Sequence, residues 1–174
     1  MTKVTACDLP KESLLAHYGG PGDYRDCFCR EIAGEVTLSQ YIERFYSSMA
    51  FGPERVILSL IGRGATAENI RALARGDSDR IAVWEVIERK GDQILLLSKD
   101  TNTASWLSVS SSDAAVGKTQ TSSSSGCEAQ PQAEPVGQQT RLLFGSWVGG
   151  IDKSGWRVML QPHVWYSRLL LGAA

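Results

Sequence analysis

Gly62-Arg63-Gly64-Ala65-Thr66-Ala67 satisfies the G-x-G-x-x-G/A pattern by which a helix amino terminus receives a dinucleotide's pyrophosphate. An apolar run, Val56 to Ile61, leads into it, and Glu85 stands about 20 positions on, where a ribose-binding carboxylate is expected. Cys27-x-Cys29 is a second chemical feature. Side chains two apart on a strand share a face but sit too far apart to bridge comfortably. A zinc site would want another close pair of ligands, and Cys7, Cys127, His17 and His163 supply none at usable spacing. These thiols therefore read as free, with no metal and no cofactor. His163 follows Pro162 at the expected start of a terminal helix, where the positive end of the helix dipole disfavours imidazolium. A neutral imidazole there could carry a proton beside Tyr166 or simply satisfy a backbone carbonyl. No Ser-His-Asp order, metal triad or activated cysteine assembles from the remaining residues.

The elements that must position these residues follow from periodicity. Asp23 to Ile32 is a first strand after the turn-rich Gly19-Gly20-Pro21-Gly22. Thr37 to Ser48 places Leu38, Tyr41, Ile42, Phe45 and Tyr46 at helical intervals, with Thr37 or Ser39 as cap. Pro53 opens a second helix with Val56, Ile57, Leu60 and Ile61 on one stripe. A third short helix begins at Thr66, turns Ile70, Leu73 and Ala74 inward and stops at Gly76. From residue 80 the period becomes two: strands Arg80 to Arg89, Gln93 to Asp100 and Thr103 to Ser110, joined by short turns. Residues 111–139, rich in Ser, Gln, Ala, Gly and Pro, read as a flexible loop, because so few large apolar groups cannot offset the entropy of ordering. Thr140 to Val148 resumes the sheet, with Leu142, Phe144, Ser146 and Val148 on one face and Leu143, Gly145 and Trp147 on the other. A helix capped by Pro162 runs through Trp165, Tyr166, Leu169 and Leu170.

That order discounts the glycine motif. A dinucleotide site needs parallel strands joined through helices, whereas turns of two to four residues force antiparallel pairing. Gly62 and Gly64 then form a tight joint between two helices packed on a sheet. The fold expected over residues 1–174 is one α+β domain: a curved antiparallel sheet packed on a C-terminal helix, with two or three helices between its first and second strands.

Tyr24-x-Asp26-x-Phe28, Leu142-Leu143-Phe144-Gly145-Ser146 and His163-x-x-Tyr166-Ser167-Arg168-Leu169-Leu170-Leu171 resemble a bacterial family of unknown function with a START-like (SRPBCC, polyketide cyclase-like) helix-grip fold. The resemblance covers about residues 23 to 174 apart from the long loop. It implies a cavity between sheet and terminal helix that holds a small hydrophobic or amphipathic molecule.

A curved sheet around a helix leaves an apolar gap unless large side chains fill it, and Trp84, Trp106, Phe144, Trp147, Trp156, Trp165 and Tyr166 are available either to fill or to line it. Trp84, Glu85, Leu97, Trp106, Trp147, His163 and Tyr166 are the candidate ligand-binding residues, with Glu85, Asp100 or His163 as acid or base if a cyclase- or dehydratase-like reaction follows. A nucleotide site at Gly62 to Ala67 and a partner-binding domain with a filled gap are the other readings. The composition, 43% hydrophobic and 21% charged with a net charge of -1, argues against binding to nucleic acid or anionic membrane through bulk charge. No stretch of about 18 apolar residues exists, so no membrane span is expected, and the chain reads as cytoplasmic. A homodimer is compatible with it.

Overall fold

A computed structural model describes residues 3–48, 66–112, 138–150 and 156–173, the side chains of 112, 156–163 and 166 excepted. The protein is α+β, with a curved, open, seven-stranded antiparallel sheet and, among the described residues, three α-helices. The strands are β1 (Thr5–Ala6), β2 (Tyr24–Ala33), β3 (Arg80–Ile81), β4 (Trp84–Arg89), β5 (Gln93–Ser98), β6 (Thr103–Ser112) and β7 (Gln139–Val148). They lie side by side in the order β1-β2-β7-β6-β5-β4-β3. The helices are α1 (Leu38–Ser47), α2 (Ala67–Arg75) and α3 (Trp156–Ala173), and a 3-10 turn occupies Leu14–His17.

Helix α1 starts at Thr37 because Thr37 Oγ1 accepts from Gln40 N while Gln40 Oε1 accepts from Thr37 N, satisfying two otherwise orphaned donors. Its buried stripe is Leu38, Tyr41, Ile42, Phe45 and Tyr46, as the periodicity requires. Ser39 is not the cap; its hydroxyl donates to Ala74 O at 2.6 Å and ties α1 to α2. Thr66 caps α2 by accepting from Asn69 N, and Gly76 ends it at φ +84°, a conformation that costs glycine little.

Alternation gives the sheet two buried faces. On the helix face, Phe28, Phe144, Leu107 and Ile94 form a row across β2, β7, β6 and β5. They pack with Tyr41, Ile42, Phe45, Leu73, Leu170 and Leu171 in one core, and the Phe45 and Phe144 rings stack at 5.1 Å. The end of α3 is anchored there by Arg30, whose Nη1 donates to the carbonyls of Gly172 (2.8 Å) and Leu171 (3.3 Å), and by Arg168 over the Phe28 ring. On the second face Leu14, Leu15, Cys27, Cys29, Leu95, Ala104, Trp106, Leu143 and Trp147 form another core, which the 3-10 turn and the chain before it cover.

Several expectations are corrected. The strand expected over Arg80 to Arg89 is a hairpin: Arg80 pairs with Glu85 and Ile81 with Trp84 across a two-residue turn, with Ala82 at φ +51°. A register shift between Val86 and Glu88 further breaks the alternation. The ladder between β6 and β7 takes in Ser111, Ser112 and Gln139, placed in the loop by composition alone, because Ser111 pairs with Thr140 and Ser112 with Gln139. Helix α3 begins six residues before Pro162, so the proline lies inside it rather than at its cap. The second helix expected near Pro53 falls outside the described residues. Among those described, no helix is long and apolar enough to cross a membrane.

Candidate functional site

The helix face of the sheet is apolar in the middle and polar at one end. Beyond the Phe28 row, the next row reads Asp26, Ser146, Ser105 and Leu96, and the one after it Tyr24, Val148, Thr103 and Ser98. Trp84 on β4 faces the same side and packs against the first core. Ser98, Thr103 and Ser146 are buried, and burying hydroxyls is costly unless each finds a partner.

Asp26 is the hub. Its Oδ1 accepts from Ser146 N at 3.0 Å and from Ser146 Oγ, and its Oδ2 accepts from Tyr24 OH at 3.1 Å. Burial, and then the neighbouring Asp26, push the Tyr24 phenol well above its ordinary range, so it stays protonated and donates. Thr101 Oγ1 bridges Ser98 Oγ (2.9 Å) and Thr103 Oγ1 (2.7 Å) at the β5–β6 turn. The Trp84 Nε1 donor is buried and has no hydrogen-bond partner among the described residues. A buried donor left unpaired costs about 1–3 kcal/mol, which a ligand acceptor would recover.

The residues singled out in sequence are not brought together. Trp84 lies on the helix face, whereas Trp106, Trp147 and Leu97 belong to the second core. Trp106 is fully buried, with Nε1 donating to Gln93 Oε1 at 2.9 Å. Trp147 Nε1 donates to Asp23 Oδ2 at 3.0 Å, and its ring meets Tyr18 edge-on at 5.0 Å. Both indoles fill space and are hydrogen-bonded. Glu85 pairs with Arg80 and, at 2.6 Å, with Lys99, an exposed cluster at the sheet's edge region. These two cations hold its carboxyl below the ordinary range. Trp165 is 67% exposed rather than interior. His163 and Tyr166 lie in α3, with side chains outside the described ones. His163 is the eighth residue of that helix rather than one of its first turn.

Sequence reasoning missed Ser146, Ser98, Thr103 and Ser105 because hydroxyl residues in strands carry no signal until register aligns them. Tyr24-x-Asp26-x-Phe28 did carry one: period two puts all three on one face. Of the glycine motif, Gly62 to Ala65 fall outside the described residues, and Thr66 serves as the α2 cap. An open recess of about 310 Å³ lies at the opposite end of the sheet, lined by Glu35, Thr37, Asp92, Ser110 and Gln138 among others. Among the described residues no group of His, Cys, Asp or Glu could hold a metal ion. No protein-family model, curated protein or solved structure matches the chain.

Proposed function

We propose that this protein binds a small amphipathic molecule between the sheet and the terminal helix, in a helix-grip arrangement of START-like type. The carrying observation is the buried Trp84 Nε1, without a partner among the described residues, on the same face as the Asp26–Ser146–Tyr24 cluster, beside the apolar row of Phe28, Phe144 and Leu107. An apolar body would extend along that face from the partly buried Trp84 and a polar head would meet the cluster, which is how ligand sites usually divide their work. Asp26 offers a carboxyl acceptor on β2 and Trp84 a donor on β4, at separate places along one face, so the head that fits at Asp26 is a neutral hydroxyl that donates to it. An anionic head would oppose Asp26. The anchoring of Leu170 and Leu171 in the same core, and of the α3 carbonyls by Arg30, supports the helix-grip reading.

Dodecanol and dodecanoate distinguish this from other readings. Dodecanol is expected to raise the melting temperature by several degrees at saturating concentration and to alter tryptophan emission, while dodecanoate does less. A ligand at 100 times its Kd stabilises by about 2.7 kcal/mol. Trp84→Phe should keep the fold and lose most of the dodecanol response. Native mass spectra of fresh protein with no adduct, together with no thermal shift for the alcohol, would defeat the proposal.

A further inference from the structure

The second face of the sheet carries a group that the proposed pocket does not use. Strand β1 places Thr5 opposite Cys29, and Cys7 N donates to Cys27 O at 3.0 Å, continuing the pairing so that Cys7 faces Cys27. The Cys7 and Cys27 sulfurs are 3.5 Å apart. Cys29 Sγ lies 3.4 Å from Thr5 Oγ1 and accepts from Arg141 Nη2 at 3.2 Å. Arg141 arrives from β7, opposite Glu31, which is exposed; among the described residues no ion pair holds the guanidinium, and its Nε is buried without a partner. A cysteine that merely fills space needs no guanidinium, and a half-buried guanidinium that already donates to a sulfur is well matched by a thiolate.

We propose that Thr5, Cys7, Cys27, Cys29 and Arg141 form a hydroperoxide-reactive thiol site, with Cys29 as the sulfur oxidised and Cys7 as the sulfur that captures it. Burial pushes Cys29 up, but hydrogen bonds from Thr5, Arg141 and Cys7 and the guanidinium charge outweigh it, leaving this thiol below its ordinary range. Cys7 and Cys27 are pushed up, chiefly by burial, and stay protonated. The nucleophile and its proton-bearing partners are thus distinct.

The Cys29 thiolate attacks one oxygen of a hydroperoxide; the S–O bond forms, the O–O bond breaks, and the departing alkoxide takes a proton from solvent to leave as alcohol. Cys29 is then a sulfenic acid. Cys7 Sγ attacks it; the S–S bond forms, the S–O bond breaks, and hydroxide leaves with the Cys7 proton as water. Two thiols and one hydroperoxide become one disulfide, one alcohol and one water. Cys7 sits just beyond the two-residue β1 with its backbone tied to Cys27 O, and rotation of its side chain turns the sulfur from Cys27 toward Cys29. Exchange with Cys27 then moves the bond to the directly opposed pair and frees Cys29.

The test treats the full chain with hydrogen peroxide and follows intact mass, thiol content and peptide maps. A loss of two hydrogens is expected, mapped to Cys7 with either Cys29 or Cys27. Cys7→Ser should accumulate sulfenic acid at Cys29, trapped by dimedone. Arg141→Met should slow oxidation about tenfold, and Arg141→Lys, which keeps the charge, should recover part of the rate. Melting curves establish that each variant is folded, and dimedone labelling of the wild-type chain serves if Arg141→Met is not. Wild-type oxidation no faster than that of Cys29→Ser, or oxidation confined to Cys127, would overturn the assignment.

Discussion

A methyl group added at Gly145 would sit 2.7 Å from Leu15 Cδ2, 3.0 Å from the Asp26 carbonyl oxygen and 3.1 Å from Trp106 Cε3. Glycine there lets the 3-10 turn lie directly on the sheet, between Cys27 and Trp106 on the neighbouring strands. Gly145→Ala is expected to destabilise the protein by about 1–3 kcal/mol, read as a lower urea midpoint, because the backbone oxygen cannot move aside as a flexible side chain would. Charge acts at the same scale. Asp23 accepts from Gly20 N at 2.6 Å and from Trp147 Nε1 at 3.0 Å; the Gly20 bond foremost, with the Trp147 bond and Arg25 helping, holds its carboxyl below the ordinary range. Glu85 is lowered by Lys99 and Arg80. For groups whose folded values are depressed, the stabilisation is complete above their unfolded values of about 4 and is lost as pH falls through the lowered folded ones. Melting temperature should therefore drop on acidification below about pH 4, and Asp23→Asn and Glu85→Gln should flatten that drop. An identical slope in both variants would refute the assignment.

At the scale of elements, the 3-10 turn depends on one side chain far away in sequence. Gln93 Oε1, on β5, accepts from Leu14 N and from Trp106 Nε1, both at 2.9 Å and both buried. Gln93→Ala would strand two donors. The expected loss is about 2–4 kcal/mol, accompanied by faster hydrogen exchange in Leu14–His17 than in β5 and β6. Neither the turn nor β1 was legible in the sequence, since a four-residue helix and a two-residue strand have no room to express a period. The β3–β4 hairpin was hidden for the opposite reason: Ile81, Val83, Glu85 and Ile87 alternate with Ala82, Trp84 and Val86 as one strand would, and it is the turn at Ala82, with its positive φ, that folds them back. By contrast, α1 and α2 were read to within about a residue, because capping side chains and apolar stripes are local.

The whole molecule closes through distant partners. Strands β2 and β7, second and third across the sheet, join Tyr24 to Val148 and Ala33 to Gln139. Pairings so far apart in sequence must wait for large loops to close, so refolding from urea should take milliseconds to seconds rather than microseconds, as for other sheets dominated by non-local contacts. Stopped-flow tryptophan fluorescence checks this. The sequence by itself determined α1, α2 and the antiparallel run of strands after residue 80, because helix caps, two-residue periodicity and short turns are properties of neighbours along the chain. It also determined that Leu142 and Phe144 oppose Leu143 and Trp147. Only the tertiary structure decided which strand lies beside which, and hence that Trp84 faces the helices while Trp106 and Trp147 face the 3-10 turn. It alone brought Ser146 to Asp26, and Cys7 and Arg141 to Cys27 and Cys29. Those groupings depend on register between strands from 20 to 120 residues apart, which is settled by packing both faces of the sheet at once and leaves no mark on any one segment.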